Sequence, residues 1–268
     1  MQSVSSLFQS IVDSGEYFVE TNLIICPNTI LPDADYVDNT HKQLVQTYAY
    51  NEEQLWNIKT NRNTFSNNSP QVGCATCGEI DVEMKYPSVP IPTMARITPY
   101  VRVISNDEQS VSEWIRKGVF FIDSREVTKN DDDLRMLTLH GYDSMMKANN
   151  NYPWSSEASP KDYEAVLAIA DAIGVKVDSR TIKIDNGQII FSESAINKKY
   201  TVVAPIGYAM IETLGHIAGA YGGNFIINDL GMLQLIQLCD LPAETNYLTD
   251  EMYNPITFGG DRIDLGDE

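Results

Sequence analysis

The clearest periodicity lies just after Gly78, where Ile80, Val82 and Met84 alternate with Asp81, Glu83 and Lys85. A period of two predicts a strand with one wet face and one packed face. Pro87 to Pro92 reads as a loop, and a longer strand carrying Ile97, Val101 and Val103 follows. Asn106-Asp107-Glu108 is turn chemistry. Trp114, Val119, Phe120 and Ile122 predict a further strand pair, Lys129-Asn130-Asp131-Asp132-Asp133 a hairpin turn, and Leu134 to Gly141 the returning strand. Several strands joined by short polar turns predict an antiparallel barrel or sandwich. A sheet closed on itself removes its own edges.

Upstream, Ser5 to Ser14 predicts a short amphipathic helix with Leu7, Ile11 and Val12 on one side. Tyr17 to Cys26 predicts a strand ended by Pro27. Pro27 to Pro70 is rich in Asn, Asp and Thr and reads as mostly loop, with a helical turn near Glu52 to Ile58. Downstream, the composition shifts at Asn149-Asn150-Asn151-Tyr152-Pro153, a candidate boundary. A helix is expected with Ser159 as N-cap, Pro160 at its first position and a buried stripe of Tyr163, Val166, Leu167 and Ala170. Gly174 is its expected C-cap. Thr181 to Phe191 predicts a hairpin around Asp185-Asn186-Gly187. Pro205 opens a second helix, Ile206 to Tyr221, stopped by Gly222-Gly223. Asn224 to Ile227 and Met232 to Leu238 are strands around the turn Asn228-Asp229-Leu230-Gly231. The expected class is α+β and β-rich: an antiparallel barrel-like domain over residues 1–148, and a small helix-plus-hairpin domain over 149–242. The acidic segment 243–268 is a tail or the start of a second barrel.

The 268 residues carry 37 acidic against 19 basic side chains, a net charge of −18. Such a surface repels phosphate backbones, so sequence-specific nucleic-acid binding is not expected. A solvated acidic exterior is the simplest reading; a negative wall that DNA passes without sticking is the other. The longest apolar run, Ile206 to Ala220, is interrupted by glycines and carries Glu212 and His216, and falls short of the roughly 20 residues that span a bilayer. No membrane insertion is expected. Nor is a secretory signal, since no basic stretch precedes an apolar one at the N-terminus. The four cysteines, Cys26, Cys74, Cys77 and Cys239, form no disulfide framework, and a reducing compartment during assembly is expected.

Two blocks resemble the baseplate or tail hub family of long-tailed phages and phage-tail-like contractile particles. The first runs from Gly78 to Gly141 through "GEIDVEMKYP", "IPTMARITPYVRV", "EWIRKGVFFIDSREV" and "LTLHGYD". Gly118, Phe120, Ile122 and Asp123, followed by a polar turn and a strand ending in "GYD", look like that family's recurring hairpin. The second block is "IGYAMIETLGHIAGAYGGNFIINDLGMLQLI", similar to its helix-strand-turn-strand unit. The resemblance implies barrel-like domains around a central channel, a homo-oligomer, most often a trimer, and partners among the tail tube, the tip or spike and other baseplate proteins. It implies a virion tail or tail-like particle assembled in the bacterial cytoplasm. A fuller second barrel is common in the family after the region of Phe258 to Ile263. Here few residues follow, so either the chain is a shortened version or another chain completes the hub.

Candidate chemistry is sparse. Cys74 and Cys77 have the spacing of half a zinc site or a redox pair, but a structural zinc site wants four ligands and no second pair stands at metal spacing. His41, His140 and His216 are scattered and read as packed or partly exposed side chains. Asp131-Asp132-Asp133 lacks the spaced ligands of a calcium loop and reads as a solvated turn. Glu79, Asp81 and Glu83 share one strand face; an exposed face ranks first for them, a channel lining second and glycoside hydrolysis last. No GxSxG, HExxH or P-loop pattern occurs. No catalytic, cofactor-binding or metal-ligating residue is therefore assigned, and no enzyme activity is expected. A tail-associated peptidoglycan or glycan hydrolase is the first alternative. A receptor- or carbohydrate-binding module is the second, although Trp56, Trp114 and Trp154 are too dispersed to argue a groove.

Overall fold

The computed structural model describes residues 4–26, 48–51, 53–62, 64–65, 70–129, 135–153, 160–185, 188–191, 202, 207–238, 257–258 and 261–262. In chain order the elements are α1 (Ser6–Asp13), β1 (Tyr17–Cys26), β2 (Tyr48–Tyr50), β3 (Leu55–Asn61), β4 (Cys74–Ala75), β5 (Glu79–Lys85), β6 (Arg96–Ser105), β7 (Ile115–Arg116), β8 (Phe120–Lys129) and β9 (Arg135–Asp143). A 3-10 turn (Ser144–Asn149) leads to α2 (Asp162–Ile173), β10 (Ile182–Asp185), β11 (Gln188–Phe191), α3 (Met210–Ala220), β12 (Gly223–Ile227), β13 (Leu233–Gln237), β14 (Thr257–Phe258) and β15 (Asp261–Arg262).

The β-rich α+β class is observed. One antiparallel sheet runs in the order β2-β1-β6-β8-β9-β5-β3, with β7 paired to β6. Its first and last strands are consecutive in the chain: Gln54 and Leu55 donate their amides to the Asn51 carbonyl, each at 2.9 Å, turning β2 into β3. Tyr50 from β2 and Leu55 from β3 enter the same apolar core as Leu23, Ile25, Ile80, Val82, Met84, Ile97, Phe120, Ile122 and Leu139. The sheet therefore curls around one core in barrel-like fashion, although no ladder joins β2 to β3 among the described residues. The alternation after Gly78 is realised in full. Ile80, Val82 and Met84 are completely buried, and each contributes about 1.5–3 kcal/mol over its exposed state. A bulge at Asp123, where β8 shifts register against β9 between Ile122 and Ser124, ends the buried stretch of β8.

A second core gathers α2, α3, β12 and β13 with Ala75, Met145, Ala148 and Tyr152. Its sheet runs β13-β12-β4, with β4 parallel to β12. Helix α3 lies against β4 at close range. A Cβ on Gly215 would stand 2.9 Å from the Gly73 carbonyl oxygen, and one on Gly73 3.2 Å from the Gly219 Cα. Only glycine permits that approach.

Several expectations need correction. Leu55 to Ile58 are not a helical turn but the start of β3, because Ile58 pairs with Val82 across β5. Helix α2 begins after an N-cap at Lys161, since Glu164 reaches back to accept the Lys161 amide at 2.8 Å, so Pro160 precedes the helix; Ser159 lies outside the described residues. Leu167 is 41% exposed, and Ala165, Ile169 and Ile173 form the buried stripe with Val166 and Ala170. Gly174 does cap the helix in the left-handed conformation. Helix α3 begins at Met210, where Glu212 accepts the Ala209 amide; Gly207 to Ala209 before it are not helical, and Ile206 lies outside the described residues. Trp114 precedes the two-residue β7. The hairpin around Asp185 forms as expected, with residues 186–187 outside the described set. Among the described residues no helix is long and apolar enough to cross a membrane.

Candidate functional site: a polar seam between the two cores

Several chain segments meet where the cores adjoin: the end of β3, the approach to β5, the β7–β8 connection, the end of β9 and the β12–β13 turn. Asp143 closes β9 with 2% of its surface exposed. Its Oδ2 accepts the Gly78 amide at 2.7 Å, and its Oδ1 accepts the Met145 amide at 2.8 Å, capping the 3-10 turn. The Asp143 amide in turn donates to the Gly78 carbonyl at 2.9 Å. Burial pushes the carboxyl up to about 6, against the opposing pull of the two amides, the Cys77 thiol and the Arg62 charge. The Cys77 sulfur lies 3.4 Å from Oδ1. Burial, then the Asp143 charge, push this thiol upward, which keeps it protonated and weakly nucleophilic.

Arg62 follows β3 and reaches across the seam. Its Nη1 donates to Asp229 Oδ1 in the β12–β13 turn, its Nη2 donates to the Lys117 carbonyl, and its guanidinium stands 5.5 Å from the Phe120 ring centroid. Lys117 Nζ lies 3.8 Å from the other Asp229 oxygen, and Arg116 Nη1 donates to the Leu230 carbonyl at 3.1 Å. Gly118 makes room for this cluster: it sits at φ +136°, and a Cβ there would collide with the Arg62 guanidinium and the Phe120 ring.

The turn itself is shaped from within. Asn228 Oδ1 accepts the Leu230 and Met232 amides, each at 3.0 Å, and its Nδ2 donates to Asp178 Oδ2 at 2.6 Å. Asp178 is held below the usual carboxylate range, chiefly by hydrogen bonds from Arg180. A fully buried Asn224 ties β12 to the strand before β5. Its Oδ1 accepts the Cys74 amide at 3.0 Å, and its Nδ2 donates to the carbonyls of Thr64 and Gln71, each at 2.7 Å. Chemically, the seam fixes backbone: each charge meets an amide, a carbonyl or an opposite charge from another segment.

The sequence candidates fall in different places. Cys74 is buried in β4 and Cys77 faces Asp143, so the two share no common ligand, and neither is in a disulfide. Among the described residues no three His, Cys, Asp or Glu side chains group closely enough to hold a metal ion. Asp131 to Asp133, His41, Cys239 and Trp154 lie outside the described residues. Glu79, Asp81 and Glu83 do share the wet face of β5, with Asp81 exposed and Glu79 and Glu83 half-buried. His140 stands opposite Asp81 on β9, with Nδ1 2.7 Å from Oδ1, and packs edge-on against Tyr142 at 4.8 Å. His216 packs instead against Tyr208. Arg62, Asp143, Asn224 and Asp229 are the residues that pattern reading misses. Only Asp143 carries a local signal, an Asp placed to cap the turn that follows its strand.

No protein-family model and no curated protein matches this sequence. Among solved structures, the chain is similar to a tail protein from Neisseria meningitidis MC58, at TM-score 0.38 and 12% identity, covering 92% of this chain and 56% of that one. It is also similar to the lidded PdpA-VgrG complex of Francisella, at TM-score 0.46 and 6% identity, covering 83% of this chain and 29% of that one. The lidless PdpA-VgrG complex matches at TM-score 0.26 and 7% identity, over 54% of this chain and 22% of that one. The chain thus spans 56%, 29% and 22% of the lengths of the three structures it matches.

Proposed function

We propose that this chain is a non-catalytic structural subunit of a phage-type tail, and that it forms the hub joining the distal end of the tail tube to the tip or spike. One observation carries the reading. The block from Gly78 to Gly141, which resembles the hub family in sequence, contributes β5, β6, β8 and β9 to a strand ladder that curls around one core. The second resembling block supplies α3, β12 and β13, and the polar seam locks that unit to the ladder. A scaffold of this kind transmits position and force without a reacting group. In this reading three copies surround a channel, the closed symmetry that repeated contacts favour. The wet face of β5, with Asp81 and Glu83, is suited to line that channel, because a negative wall offers no phosphate-binding sites.

Electron microscopy of the assembled particle tests the proposal. Three copies at the distal end of the tube are expected, with the outer face of β5 turned to the channel. Single copies decorating the exterior would sink it. A neutral or basic channel beside an acidic outside would remove the channel-wall element and leave the net charge as a solubility feature.

A further inference from the structure

We propose that the cleft between the β8–β9 hairpin and the loop Tyr86 to Ile91 is a docking site for an extended acidic segment of a partner protein, one that sets an apolar side chain between two carboxylates. The cavity there measures about 300 Å³. Val127 and Leu137 line it from the hairpin, and Tyr86, Pro87 and Pro90 from the loop. Leu137 is buried, whereas Val127 is 51% exposed and Tyr86 42%. Apolar surface gathered into a concavity is where an incoming apolar side chain is best shielded from water.

The cleft is set in advance of any ligand. Pro87 and Pro90 restrict the backbone of the loop. The Tyr86 amide donates to the Arg135 carbonyl at 3.0 Å, and Arg125 Nη1 donates to the Ile91 carbonyl, so both ends of the loop are fastened to the hairpin. A preformed cleft loses little freedom on binding.

Register selects the occupant. Arg125 pairs with Leu139, Val127 with Leu137 and Lys129 with Arg135. Side chains alternate between the faces of a strand, so these six share one face of the hairpin. The intervening pair, Glu126 and Thr138, faces the other way. The cleft side therefore carries an apolar pair with a cation on one flank and two on the other. Arg125 and Arg135 are exposed, and neither forms an ion pair among the described residues. Arg125 spends one nitrogen on Ile91, out of the five N–H donors of a guanidinium. Lys129 has a partner of its own and is not needed. Position 125 and the Lys129–Arg135 pair are separated by roughly 13 Å, at about 3.3 Å per strand residue. An extended segment with carboxylates at i and i+4 and an apolar side chain at i+2 matches that row, because its own alternation points all three the same way. Its carboxylates meet guanidinium groups in charge-assisted hydrogen bonds, whereas a basic segment is repelled. This site rests on the cleft and its register, and stands apart from the hub reading.

The test uses the full chain and three synthetic peptides: Gly-Glu-Thr-Leu-Thr-Glu-Gly, the same peptide with Lys in place of both Glu, and Gly-Glu-Glu-Thr-Thr-Leu-Gly, in which the spacing is lost. Titration calorimetry reads affinity, and amide hydrogen exchange reads location. Saturable binding of the first peptide is expected, at least about tenfold tighter than either of the others. Exchange should slow at Ser88, Val89 and Ile91. Arg135→Glu, on an exposed side chain, should weaken binding about tenfold or more and leave the circular dichroism spectrum and Tm unchanged. Lys176→Glu, the same charge change on another exposed lysine, should leave the affinity alone. Failure of the first peptide to bind overturns the proposal, as does equal binding of the third, or an affinity that Arg135→Glu does not move. A preference for the Lys peptide overturns it too, since Asp131 to Asp133 would then set the local charge. Tighter binding of a single-stranded oligonucleotide, lost in Arg135→Glu, would make phosphate the ligand and reject the acidic segment. Self-association lost in that variant would make the occupant a second copy and reject it equally.

Discussion

Asp143 joins more of the molecule than any other single carboxylate described above. Truncation to Ala would strand the amides of Gly78 and Met145 in a buried place, where each unsatisfied donor costs about 1–3 kcal/mol. Asp143→Ala should accordingly lower the unfolding free energy by about 2–4 kcal/mol in denaturant titrations. The pH response runs opposite to that of an ordinary paired carboxylate. The folded group titrates at about 6, above the roughly 3.9 of an unfolded Asp. Between those values the folded state holds more protons, so stability falls as pH rises through the window and is regained on acidification. The effect is on the order of 2–3 kcal/mol. Because the net charge of −18 also makes acidification stabilising, the informative quantity is the difference between the wild-type chain and Asp143→Asn. The wild type should gain more than the variant between pH 7 and pH 5; identical slopes would assign the pH dependence to general repulsion.

Among the elements, the contact between α3 and β4 is set by glycine. A Cβ at 215 would approach the Gly73 carbonyl oxygen to 2.9 Å, and the extra methyls of valine have nowhere to go without moving the helix off the strand. Gly215→Val should cost about 2–3 kcal/mol by thermal or chemical unfolding. A cost below about 0.5 kcal/mol would mean that the helix shifts freely. This scale is also where the sequence was most legible. Alternation located β5 because Ile80, Val82 and Met84 bury one face whatever their neighbours do. Gly174 and the Asp185 turn announced themselves by backbone chemistry. Strands β2 and β4, of three and two residues, are too short to carry a period and exist because β1 and β12 offer them partners. Leu167 fails for a related reason: a stripe of apolar residues says that a helix has a buried face, while the packing of the 3-10 turn and α3 decides where that face is centred.

Over the whole molecule, the seam couples two apolar cores through groups that no local pattern marks. Arg62 sits in an Asn-rich stretch, and Asp229 in a turn whose sequence predicts only a turn. Their meeting depends on segments 167 residues apart. Sequence reading could not find the site because each residue is unremarkable alone. A double-mutant cycle on Arg62→Ala and Asp229→Ala should return a coupling of about 1–2 kcal/mol, with each single variant loosening the β12–β13 turn in hydrogen exchange. Additive effects would make the pair a surface ornament of the fold and not its clasp.

The parallel pairing of β4 with β12 has a consequence for the order of events during synthesis. Cys74 and Asn224, which bond directly, are separated by 150 positions. The strands up to Asp143 can condense as soon as they leave the ribosome, since N-terminal parts fold first. Gly73 to Ala75 must wait until β12 emerges. During that interval the segment before β5 carries unmet amides and exposed Cys74 and Ala75, a window open to proteases or to a mispaired strand. Loop closure over so long a span is slow, and late docking of this short strand is the expected bottleneck of maturation. A fragment beginning at residue 149 would lack β4 altogether and leave Asn224 without its Cys74 amide, so the second core is completed only by a piece of chain made long before it.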